Sequence, residues 1–73
     1  MVEDAISAQQ RLSLDARMQL EMSQQEFAAM LGISVRTLQD WEQGRREPSG
    51  AARALLKIAA RHPEVVREVM QSV

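Results

Sequence analysis

Between Ser23 and Gly44 the chain carries two helix-start signals and two helix-stop signals, which leave room only for two short helices across a tight turn. Ser23 and Glu26 make the Ser-x-x-Glu pattern in which each side chain satisfies an exposed backbone N–H of the other, so a helix is predicted from Gln24. Gly32 follows Leu31 where a left-handed residue can end a helix, and glycine has no Cβ to clash there. Ser34 caps a second helix from Val35 to about Gln43, and Gly44 stops it in the same way. Ile33 plugs the turn, Ala28 is small enough for the two helices to cross closely, and Phe27, Met30 and Leu31 line the inner side.

The rest of the chain also reads as helix. Residues 1–13, polar and weakly periodic, are predicted to be a flexible or weakly helical arm, and a first helix follows from about Leu14 to Glu21. Its core face is divided between Leu14, Arg17, Met18 and Glu21 on one side and Ala16 and Leu20 on another. Pro48 and Ser49 open a fourth helix through about Arg61, with Ala52, Leu55, Leu56 and Ala59 as its apolar stripe. His62 and Pro63 break it, and proline at a first helical position favours a fifth helix from Pro63 to about Gln71. The expected fold is therefore all-α and five-helical, with one compact domain over residues 14–73. A chain of 73 residues buries a modest fraction of its surface, so dimerisation would help its stability.

Composition narrows the functional classes. Without cysteine there is neither a disulfide framework nor a thiolate zinc site, and no metal or other cofactor is expected. The single histidine lies beside Pro63, no tyrosine is present and no metal-spaced cluster appears, so an enzyme is not expected. The acidic start, Met1-Val2-Glu3-Asp4, is followed by no long apolar run, which predicts a cytoplasmic protein. The net charge of -1 does not favour a nucleic-acid ligand, but its distribution does. Arg36, Arg45, Arg46, Arg53, Lys57 and Arg61 outnumber Asp40, Glu42 and Glu47 between residues 34 and 61, whereas acidic residues prevail on either side.

Projected at 100° per residue, the third helix sets Leu38 and Trp41 on one side and Arg36, Gln39, Asp40 and Gln43 on the other. A helix presented across a tight turn in this way fits the major groove of B-DNA. Arg36 can make two parallel hydrogen bonds to guanine, Gln39 can pair with adenine, and Val35 can meet a thymine methyl. Thr37 can serve a base or a phosphate, and Asp40 can only accept, which suits cytosine. Gln24 and Ser34, each at a helix start, are expected at phosphates, together with Gln43, Arg45 and Arg46 where the backbone should pass. Trp41, at core spacing, is expected to pack rather than stack on a base.

Met22 to Ser49, MSQQEFAAMLGISVRTLQDWEQGRREPS, resembles the lambda-repressor/Cro type of helix-turn-helix, the XRE family. Ser-Gln-x-Glu-Phe-Ala, Leu-Gly-Ile-Ser and Trp-Glu-x-Gly-Arg-x-x-Pro-Ser carry the likeness, which extends over about Leu14 to Arg61. The resemblance implies a five-helix lambda-repressor-like fold, a homodimer on a palindromic operator, and base contacts near Val35, Arg36, Thr37 and Asp40. It also implies an ion pair between Arg17 and Glu42, while Glu21 stands where relatives often have glycine. More narrowly, VRTLQDWEQGRREPSGAARALLKIAARHPEVV is similar to HigA/NadS-like antitoxins of type II toxin–antitoxin pairs, which repress their own operon and neutralise a ribonuclease toxin.

The expected function is thus a sequence-specific, autoregulating DNA-binding repressor with double-stranded DNA, a second copy and a toxin as partners. The alternative is an interaction module that binds a toxin or another regulator without reading DNA. Val66, Val69, Met70 and Val73 lie along one side of the fifth helix and are the expected dimerisation stripe.

Overall fold

A computed structural model describes residues 6–71, which form five helices joined by short turns. They are α1 (Ala8–Gln19), α2 (Gln24–Leu31), α3 (Val35–Gln43), α4 (Gly50–Arg61) and α5 (Pro63–Gln71). No helix among these residues is long and apolar enough to cross a membrane. The acidic pair Glu3 and Asp4, and Val73 of the expected dimerisation stripe, lie outside the described residues.

α1 starts at Ala8, earlier than the expected Leu14, because Ser7 and Gln10 form a second capping box. The Ser7 side chain accepts from the Gln10 N–H at 3.1 Å and the Gln10 carboxamide accepts from the Ser7 N–H at 2.9 Å. Residues 8–13 are therefore helix rather than arm. The added turn also settles the divided face: Ser13, Ala16 and Leu20 point into the core, whereas Met18 is 66% exposed. Ser13 is fully buried, and its hydroxyl has no hydrogen-bond partner.

α2 and α3 form where their caps predict. The Ser23–Glu26 box closes at 3.1 and 2.9 Å, Ser34 accepts from the Thr37 N–H, and Gly32 and Gly44 end the helices at φ 74° and 79°. α1 packs against α4 and α3, α2 against α3, and α5 against α4. Phe27, Ala28, Leu38, Trp41, Leu56, Ala59 and Val66 meet Ala16 and Leu20 in one core, with Leu31 and Ile33 partly buried beside it.

Two apolar residues differ from expectation. Leu55, assigned to the inner stripe of α4, is exposed, because α1 covers only the narrower strip through Leu56 and Ala59. Val66, assigned to the dimerisation stripe, is 6% exposed and belongs to the protein's own core, since α5 folds back on α4. Glu21, between α1 and α2, is the non-glycine residue with positive φ among those described, at 55°.

Candidate nucleic-acid interface

α3 owes its position to its two sides. Leu38 and Trp41 are buried, which fixes the opposite side outward, and the Arg36 side chain projects from it 77% exposed. Val35, Thr37 and Gln39 are half-buried around it. The Ser34 hydroxyl donates to Thr37 Oγ1 at 2.9 Å, tying the first turn together.

Asp40, expected among the base readers, lies between two arginines. The residue is buried, and its Oδ1 lies 3.5 Å from Arg36 Nε and 3.0 Å from Arg45 Nε. The carboxylate thus has cations on both sides, and the sequence reading missed this because Arg45 reaches it only by folding back around Gly44. The backbone N–H groups of Arg45 and Arg46 also donate to the Asp40 carbonyl, at 2.8 and 3.3 Å, and bring the basic loop against the end of α3. Asp40 approaches Arg36 through Nε, and no hydrogen bond is made by its two terminal nitrogens among the described contacts. These are the donors a bidentate guanine contact uses.

Beneath this surface lies a polar cluster. Arg17 Nε and Nη2 meet Glu42 Oε2 and Oε1 at 2.7 and 3.2 Å, and Arg17 Nη1 donates to the Met22 carbonyl at 3.2 Å. The Glu42 side chain is 5% exposed and that of Arg17 22%, so the pair is largely removed from water. Gln24 donates from Nε2 to Glu42 Oε1 at 2.9 Å, and its Oε1 accepts from Gln39 Nε2 at 3.4 Å. Its amide is thus turned inward. At this helix start Ser23 takes the Glu26 N–H, and the Gln24 and Gln25 N–H groups lie ahead of the first helical hydrogen bond, where an anion can meet them.

Gln10, absent from the sequence candidates, donates from Nε2 to the Glu42 carbonyl at 3.3 Å and so ties the start of α1 to the end of α3. A Ser-x-x-Gln pattern at Ser7 was its only local signal. Of the remaining candidates, Ser34, Gln43, Arg45 and Arg46 are exposed around α3. Val69 and Met70 are exposed well away in the chain on α5, where Leu55, Ile58 and Val65 join them around Val66 in a shallow apolar cleft.

Two capped helices crossing at a three-residue turn, with the second presenting a basic polar side outward, define a helix-turn-helix. Comparison with known proteins agrees: the helix-turn-helix family profile matches residues 14–60, and the chain belongs to this family, in its XRE type. It is similar to antitoxin HigA-2 of Vibrio cholerae serotype O1, with 47% identity over 55 residues covering 75% of this chain and 53% of the relative. It is also similar to the HTH-type transcriptional regulator YiaG of Escherichia coli K12, with 33% identity over 46 residues covering 63% of this chain and 48% of the regulator. The chain spans about half the length of the curated relatives it matches.

Proposed function

We propose that the protein is a sequence-specific transcriptional repressor, and that it acts as the autoregulating antitoxin of a type II toxin–antitoxin pair. The observation that carries the DNA reading is the outward side of α3, where Arg36 stands 77% exposed with its guanidinium braced by Asp40. In this reading Arg36 and Gln39 meet base edges, with Val35 and Thr37 flanking them. Ser34, Gln43, Arg45, Arg46 and the start of α2 hold the sugar–phosphate backbone and set the register. The likeness to antitoxin HigA-2 supports the antitoxin role, and a ribonuclease toxin is the corresponding partner.

A second copy is proposed to cover the apolar cleft between α4 and α5. Leu55, Ile58, Val65, Val69 and Met70 are 40–54% exposed there and form one contiguous apolar patch, the kind of surface that partners cover. A two-fold pair placing its two α3 helices about 34 Å apart would read both halves of a palindrome from one side of the duplex. The deciding experiment titrates the protein against the DNA upstream of its own gene at two salt concentrations, beside a scrambled fragment. Preference for the upstream fragment that persists at the higher salt is expected. Equal affinity for both fragments would leave only non-specific charge attraction, and absence of binding would favour a pure protein-interaction module.

A further inference from the structure

Glu42 is a carboxylate at the end of a chain of amides, and the order of those amides has a chemical consequence. A carboxylate only accepts, so the Gln24 group 2.9 Å from Glu42 Oε1 must be its NH2. Its oxygen is then the atom facing Gln39, and the Gln39 group that meets it at 3.4 Å must in turn be NH2. Arg17 holds Glu42 in place through two hydrogen bonds, so the sequence of orientations starts from a fixed charge.

We infer that Gln24 is a specificity-determining positioning residue: it passes the polarity of the buried Glu42 carboxylate to Gln39 and fixes which way the Gln39 amide faces DNA. The inference rests on the reading of α3 as the base reader. A free glutamine amide can turn over and exchange donor for acceptor, and so accommodates more than one base. With one N–H held by Gln24, Gln39 keeps its oxygen and second N–H for the groove. Those are an acceptor for adenine N6 and a donor for N7.

The test selects bound sequences from a pool of randomised duplexes, using the wild-type chain, Gln24→Met, Gln24→Lys, Gln39→Met, Arg36→Ala and the Gln24→Lys/Gln39→Met double variant, each checked for folding by thermal unfolding. Gln24→Lys separates the two roles of the residue. Its ammonium still donates to Glu42 and adds attraction for phosphate, but it offers Gln39 no acceptor. Wild-type protein is expected to select adenine at one position by on the order of tenfold, and both Gln24 variants to fall to about twofold there. Preference elsewhere in the site should be retained. Adding Gln24→Lys to Gln39→Met should change that position no further, as expected when Gln24 acts through Gln39. If Gln39→Met alters the preferred base and both Gln24 variants keep the wild-type preference, the relay is overturned while α3 remains the reader. If Gln39→Met and Arg36→Ala both leave the selected sequence unchanged, the reading of α3 fails and the relay with it.

Discussion

Replacing Arg17 by methionine should nearly unfold the domain. The substitution keeps an unbranched apolar stem of similar reach but removes both hydrogen bonds to Glu42, at 2.7 and 3.2 Å, and the one to the Met22 carbonyl. Glu42 would then hold a negative charge in a site where its side chain is 5% exposed, with Gln24 as its one remaining side-chain donor. Breaking a buried pair in this way costs about 3–5 kcal/mol, whereas an exposed pair contributes under about 1 kcal/mol. Domains of this kind are stable by roughly 5–15 kcal/mol, and a small one belongs at the lower end. Glu42→Gln should be milder, because Arg17 is 22% exposed and can turn its guanidinium to water. The double variant, with no charge left buried, should be more stable than Arg17→Met alone. Trp41, the single tryptophan and 7% exposed, supplies the fluorescence signal for urea unfolding of all four proteins. A loss below about 1 kcal/mol for Arg17→Met, or a double variant no better than it, would refute the reasoning.

Three further substitutions have expected outcomes. Ser13→Ala removes a fully buried hydroxyl without a partner and should stabilise the fold by about 1 kcal/mol; a destabilised variant would mean the hydroxyl is satisfied in solution. Glu21→Gly relieves a left-handed backbone at φ 55° and should gain about 0.5–1 kcal/mol after the added entropy of the unfolded chain, read as a higher urea midpoint. Ile58→Asp, at a residue 47% exposed beside the α4–α5 cleft, should leave a folded monomer in sedimentation; a variant that stays dimeric would remove that cleft from the interface.

The central two helices were legible because their signals are local. Ser23 with Glu26, Gly32, Ser34 and Gly44 each act within one turn of the backbone they terminate, and all four appear where the sequence puts them. The start of α1 was equally local, but Ser7 and Gln10 sit in a polar stretch with little apolar periodicity, and the box was read as an arm. Leu55 and Val66 show what helical periodicity leaves open. It orders residues around a helix, while the width of the strip that a neighbour covers depends on how α1, α4 and α5 cross. The role of Asp40 was illegible for a related reason, since a loop turning back through Gly44 brings Arg45 to a residue five positions earlier. The inward hydrogen bonds of Gln24 were illegible for the same cause: its partners, Glu42 and Gln39, are brought to it by the crossing of α2 and α3.

The most direct test of α3 as the reading helix is the affinity of wild type, Arg36→Ala and Arg46→Ala for a duplex carrying the selected site and for its single-base variants, across a range of salt. Arg36→Ala should cost about 1–3 kcal/mol on the selected duplex and abolish discrimination at one base position. Arg46→Ala should weaken all duplexes alike and make the logarithmic salt slope shallower by about one unit, the loss of one phosphate contact. If Arg36→Ala weakens every duplex equally and discriminates among bases as well as wild type does, the outward side of α3 is not where this protein reads DNA.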